Sequence, residues 1–126
     1  MQLEHVAIDV ADPEALKAWW TAHLGMRLSA ANPAFLVDDT GRGVLEVYRS
    51  ENTPAAPDYA TRDPSTFHIA FWADDVEREA ARLEAAGAVR VETIHRPGFD
   101  MVMLRDPFGL CVQLCHRGEN VFMPPR

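Results

Sequence analysis

The chain has 126 residues, of which 48% are apolar and 25% are charged, and its net charge is −7 at pH 7. This composition is typical of a folded globular protein, and its acidic balance argues against a nucleic-acid-binding surface. No apolar run approaches the roughly 18 residues that span a bilayer, and the N-terminus lacks the basic and apolar regions of a signal peptide. We therefore expect a cytoplasmic protein with neither nucleic acid nor a membrane as a partner.

The first half of the chain predicts the element order β-α-β-β-β. An alternating run at Leu3–Val10 is typical of a strand. Asp12 and Pro13 then begin a helix with apolar residues at spacings of three and four, which ends at Gly25. Three short strands are predicted after it, at Met26–Ala30, Ala34–Val37 and Val44–Arg49.

The second half of the chain repeats this order. Thr66–Trp72 predicts an opening strand, and Asp74 or Asp75 is the predicted N-cap of a helix that ends at Gly87. Three strands are again predicted, at Val89–His95, Phe99–Leu104 and Leu110–His116. Such repetition at about half the chain length indicates two similar modules.

The predicted architecture is a single α+β domain over residues 1–126, made of two tandem βαβββ modules. They cover about residues 1–49 and 66–117, and their strands are expected to form a U-shaped mixed sheet with the helices on its outer face. Residues 50–65 carry three prolines and no apolar periodicity. They are interpreted as a connector, with a lid over a site as the alternative. Residues 118–126 are left as a C-terminal tail.

Strand alternation places four polar side chains on the inner face of this sheet. Each helix must cover the apolar face of its opening strand, so His5 and His68 point to the opposite face. Glu46 and Gln113 share that face in the closing strands, at equivalent positions of the repeat.

These four side chains form a candidate metal site. Burying an unpartnered carboxylate is costly, and a cation is one way to satisfy it. Two imidazoles and the Glu46 carboxylate suit Zn²⁺, Ni²⁺, Fe²⁺ or Mn²⁺, with the Gln113 amide oxygen as a fourth ligand. The alternative is a pair of ordinary hydrogen-bonded histidines and a solvated Glu46. Tyr48 and Trp72 flank the candidate ligands, where they would either stack on a substrate or simply fill the trough.

From the opening strand to the turn and strand at Asp106–Leu114, the chain resembles the vicinal oxygen chelate superfamily. Its members are the glyoxalase, bleomycin-resistance and extradiol-dioxygenase proteins. The resemblance implies one divalent ion, zinc or nickel first and iron or manganese as alternatives, at His5, Glu46, His68 and Gln113. Glyoxalase-like members carry Glu at the position of Gln113, and an amide cannot take up a proton near pH 7.

The resemblance implies a metal-dependent lyase or isomerase, glyoxalase I-like, that acts on a small oxygen-chelating substrate. Because the two modules are pseudosymmetric, our hypothesis is that Glu46 takes over as the base by shifting off the metal. A ring-cleaving dioxygenase that uses ferrous iron is one alternative, since two histidines and a carboxylate suit that metal. A bleomycin-resistance-like protein that binds a small molecule without catalysis is the other. Trp19 and Trp20 are adjacent on the first helix and point about 100° apart, so one must reach solvent, the connector or a partner. With the resemblance, this implies a homodimer.

Overall fold

A computed structural model describes residues 1–118 and 122 of the chain. It divides into two compact units, Met1–Pro57 and Asp58–Arg126, so the boundary falls inside the predicted connector. Each unit has one α-helix and a four-stranded mixed sheet in the order βαβββ, which confirms the predicted α+β class and element order. Of the predicted tail, residues 119–121 and 123–126 lie outside the described residues.

In the first unit the helix begins where the sequence predicts it. The Asp12 carboxylate accepts the Ala15 N–H at 3.0 Å and caps the helix, and Leu16 and Trp20 on its inner side are wholly buried. The strand order is β1-β4-β3-β2, with β1 parallel to β4 and the other pairs antiparallel. The elements are β1 Val6–Asp9, α1 Pro13–His23, β2 Arg27–Leu28, β3 Phe35–Val37 and β4 Val44–Tyr48.

The second unit repeats this topology with longer strands. Of the two predicted N-caps the structure uses Asp75, whose carboxylate accepts the Arg78 N–H at 2.9 Å. The strand order is β5-β8-β7-β6, with β5 parallel to β8. The elements are a 3₁₀ helix at Tyr59–Thr61, β5 Ile69–Trp72, α2 Val76–Ala85, β6 Val89–Arg96, β7 Phe99–Arg105 and β8 Cys111–Arg117.

The opening strands are shorter than predicted. The first begins at Val6 and the second at Ile69, because each pairs only with its closing strand, and that strand starts at Val44 or Cys111. The second strand, predicted over Met26–Ala30, is only two residues long for the same reason, since its partner β3 has three. As a consequence, His5 and His68 each directly precede an opening strand, again at equivalent positions.

The closing strands alternate as predicted. Leu45 and Val47 are 6% and 1% exposed, whereas Glu46 between them is half-buried. Val112 and Leu114 are 1% and 4% exposed and likewise flank a half-buried Gln113. The core face is therefore formed by Leu45 and Val47 in one closing strand and by Val112 and Leu114 in the other, and Glu46 and Gln113 lie on the opposite face. No helix within residues 1–118 is long and apolar enough to cross a bilayer.

Candidate metal site

Two of the four predicted ligands lie side by side in the first unit. His5 Nε2 is 3.3 Å from Glu46 Oε2, and both side chains are about one-third exposed. Phe35 supports the pair, because it lies opposite Glu46 in the ladder and packs edge-on against the His5 ring at 5.2 Å between centroids. An unprotonated Nε2 and a carboxylate oxygen are both acceptors, so a proton or a metal cation must lie between them.

The other ring nitrogen of His5 is held by an acidic neighbour. Nδ1 bonds to the Glu4 carboxylate, which can only accept, so this nitrogen carries the proton and donates it. The bond to Glu4, with a smaller contribution from Glu46, raises the pKa of His5 above its ordinary value against the opposing effect of desolvation. A carboxylate behind the distal nitrogen is the arrangement that orients metal-binding histidines, so His5 fits a metal-ligand role.

His68 has the same division of labour between its ring nitrogens. Its Nδ1 lies 3.0 Å from the Pro64 carbonyl oxygen, which can only accept, so Nδ1 is the donor. The side chain is exposed, and the bond to the carbonyl leaves the Nε2 lone pair available. Both histidines are therefore arranged as the Nδ1–H tautomer. In this tautomer a neutral imidazole can bind a metal ion through Nε2.

Gln113 occupies the position in the second unit that Glu46 occupies in the first. Glu46 lies opposite Ala7 in the parallel β1–β4 ladder, and Gln113 lies opposite Ala70 in the parallel β5–β8 ladder. On its other side Gln113 faces Met103, which is 3% exposed. The amide therefore lies beside an apolar neighbour, where its oxygen is a neutral donor for a cation or its NH₂ a hydrogen-bond donor to a ligand.

The two predicted substrate-binding aromatic residues differ in how they are held. Trp72 is half-buried, packs at a tilt against the His116 ring with 4.6 Å between ring centroids, and donates its indole N–H to Asp74 at 3.0 Å. Tyr48 ends β4 with 39% of its surface exposed. Tyr48 is therefore the more exposed of the two residues.

The structure brings His5 and Glu46 together in the first unit and places His68 and Gln113 in the second. Over residues 1–118 and 122, no three His, Cys, Asp or Glu side chains are gathered closely enough to hold a metal ion. Sequence reasoning missed the hydrogen-bond partners of the histidines. An acidic residue directly before His5 was a visible signal, whereas a main-chain carbonyl at Pro64 leaves no trace in the residue types.

The chain belongs to the Glyoxalase/Bleomycin resistance protein/Dioxygenase superfamily, whose family model matches residues 2–114. The α+β fold and the repeated βαβββ order described above agree with that membership. No curated protein matches the chain.

Solved structures show the same fold. A glyoxalase family protein from Bacillus cereus aligns with a TM-score of 0.76 at 16% identity, covering 93% of this chain and 94% of that one. A glyoxalase/bleomycin resistance protein from Albidiferax ferrireducens aligns with a TM-score of 0.66 at 23% identity, covering 91% and 98%. An antibiotic binding protein from a Streptomyces species aligns with a TM-score of 0.65 at 23% identity, covering 90% and 96%. Their shared fold spans several functions, so the function of this chain must be argued from its own residues.

Proposed function

We propose that the protein is a metal-dependent, glyoxalase I-like lyase or isomerase that acts on a small substrate with neighbouring oxygen atoms. One divalent cation, zinc or nickel, would be held by His5, Glu46 and His68, with Gln113 as a neutral fourth ligand. The observation that carries the proposal is the 3.3 Å approach of His5 Nε2 to Glu46 Oε2, with the far side of the ring bonded to Glu4. Two acceptors held this close suit a cation between them.

A divalent cation held there would polarise a substrate carbonyl oxygen and stabilise the negative charge that develops on it. Glu4 keeps the His5 ring in one tautomer and orientation, as Pro64 does for His68. Glu46 is the anionic member of the predicted ligand set, so its carboxylate is the group that would take the proton from the carbon beside that carbonyl, after leaving the cation. The exposed ring of Tyr48 offers a surface on which the rest of the substrate stacks.

Elemental analysis of protein purified without chelator, then incubated with zinc, nickel, manganese or ferrous iron and desalted, tests the metal. About one zinc, nickel or manganese ion per chain supports the proposal. Iron that is lost in air favours the ring-cleaving dioxygenase instead. The matched comparison is His5→Ala against His95→Ala, because His95 also bonds two carboxylates, Glu77 and Asp100, but lies outside the candidate site. Metal lost equally from both variants, or absent from the wild type, contradicts the proposal.

A small-molecule binding protein without catalysis is the second candidate. It is favoured by Gln113, which removes the carboxylate expected at this position, and by the antibiotic binding protein among the structures of the same fold. Binding of a drug-like aromatic compound with equal affinity in the presence and absence of metal, measured by calorimetry, would support it over the enzyme.

A further inference from the structure

Arg105 ties the segment before β5 to the turn that follows β7. Its Nη1 donates to the Tyr59 carbonyl at 2.9 Å, and its Nη2 donates to the Arg62 carbonyl at 2.7 Å. Nη1 also reaches the Gly109 carbonyl at 3.2 Å, on the turn itself. Because a charged guanidinium makes stronger hydrogen bonds than a neutral donor, these bonds fix residues 59–62 against the β7–β8 turn.

Close packing holds the same segment in place. Gly109, with φ +88°, approaches it so closely that a Cβ there would lie 2.8 Å from both the Cβ and the main-chain nitrogen of Ala60. The Asp58 carboxylate caps the short 3₁₀ helix by accepting the Ala60 N–H at 3.2 Å. The segment predicted to be a connector or a lid is therefore a packed part of the second unit from residue 58 onward.

Residues 63–66 form a turn that places the Pro64 carbonyl against the His68 ring. The Asp63 carboxylate accepts the Ser65 N–H at 2.8 Å and its hydroxyl at 2.6 Å, and the Asp63 carbonyl accepts the Thr66 N–H at 2.9 Å. These bonds close the turn around Pro64, whose fixed φ removes further freedom. The Pro64 carbonyl then accepts Nδ1–H of His68 at 3.0 Å.

We propose that Arg105 and Asp63 are positioning residues for His68. By fixing the Pro64 carbonyl they hold the imidazole as its Nδ1–H tautomer, so that the Nε2 lone pair is ready to bind a metal ion. The metal part of this inference rests on the proposed function, whereas the tautomer is a property of the metal-free protein. Arg105 acts on His68 through the segment before the turn, and Asp63 acts through the turn itself.

Long-range ¹H–¹⁵N NMR of the histidine rings in the metal-free protein, at a pH where they are neutral, tests this directly. Wild-type His68 should be the Nδ1–H tautomer. Arg105→Gln and Asp63→Ala should each move it toward the Nε2–H tautomer, which free histidine favours, while His5 stays unchanged as an internal control. Arg96→Gln is the matched control. It makes the same change of side chain at an exposed arginine whose guanidinium lies over the Phe99 ring, 5.4 Å from the ring centroid.

Asp63 is exposed, so Asp63→Ala decides the question if Arg105→Gln does not fold. Zinc affinity should fall about tenfold in either variant, at the lower end of what loss of an indirect metal contact costs. A wild-type His68 in the Nε2–H form, or a tautomer that neither variant changes, overturns the positioning role. A tautomer that changes as expected in a chain that binds no metal supports the positioning role and contradicts the proposed function.

Discussion

Glu46 and Gln113 occupy one register in the two units, opposite Ala7 in one ladder and Ala70 in the other. The repeat thus supplies a carboxylate at this position in the first unit and an amide in the second. Only the carboxylate can carry a negative charge or take up a proton. In the proposed metal site the carboxylate is therefore the base and the amide a neutral oxygen ligand.

Replacing Glu46 by Gln makes the two positions alike and should lower the pKa of His5, because the carboxylate raises it in the wild type. Glu4→Gln should lower this pKa further, since the bond to Glu4 is the largest cause of the shift. An NMR pH titration of the His5 ring measures both.

Turnover of any identified substrate should fall about 100-fold or more in Glu46→Gln, which is the usual cost of losing a general base. Undiminished turnover would rule out Glu46 as the base.

A second histidine predicts a pH dependence outside the candidate site. His95 bonds Asp100 at 2.9 Å and Glu77 at 3.0 Å. Both bonds raise the pKa of His95 above 6.5, and the bond to Asp100 is the larger cause. The stabilisation of the fold by charged His95 is therefore complete below pH 6.5. It is lost as the pH rises through the higher pKa that His95 has in the folded state. His95→Gln should lower the melting temperature more at pH 6 than at pH 9.

Asp100→Asn provides the check on that assignment, because it keeps the imidazole and removes the main cause of the shift. An NMR titration should then give a lower pKa for His95 than in the wild type. A melting-temperature difference between wild type and His95→Gln that is the same at both pH values contradicts the assignment.

Two glycines separate backbone strain from close packing. Gly25 has φ +68° with no heavy atom within 4 Å of an added Cβ, so Gly25→Ala should cost about 1 to 2 kcal/mol of unfolding free energy from strain. Gly109 combines a positive φ with the close approach to Ala60, so Gly109→Ala should cost about 3 kcal/mol or more. Urea denaturation of both variants measures the difference, and equal losses would show that the packing of residue 60 contributes little.

The two adjacent tryptophans differ in burial, so one tests the stability of the fold and the other tests its assembly. Trp20 is wholly buried, so Trp20→Ala should destabilise the fold by about 3 to 5 kcal/mol. Trp19 is half-buried and packs on His23 at 5.1 Å between ring centroids, which leaves part of its ring for a second chain. Light scattering at micromolar concentration should give twice the chain mass for the wild type and a lower mass for Trp19→Ala. A monomeric wild type contradicts the expected homodimer.

The sequence predicts the element order well because its signals are local. Asp12 and Asp75 cap their helices through neighbours three residues away, and alternation along a strand shows which residues are buried. The starts of the opening strands were predicted wrongly, each three residues too early, because a ladder begins where its partner begins, and the partner lies some 40 residues further along the chain.

The supports of the candidate ligands divide in the same way. Glu4 is next to His5 in the chain and can be suspected from the sequence. The direction of the Pro64 carbonyl depends on main-chain geometry. Arg105 contacts residues that precede it by 43 and 46 positions in the chain. Because carbonyls are present at every residue, no residue type marks the ones that a turn aims at a site.

Thermal unfolding of the metal-free protein with and without added zinc is the most direct test of the proposed metal site. Zinc at 100 times its dissociation constant should stabilise the wild type by about 2.7 kcal/mol. His5→Ala and His68→Ala should lose that stabilisation, and His95→Ala should keep it. A wild-type melting temperature that zinc does not raise, or a rise that survives in His5→Ala, would contradict a metal site built on His5 and Glu46.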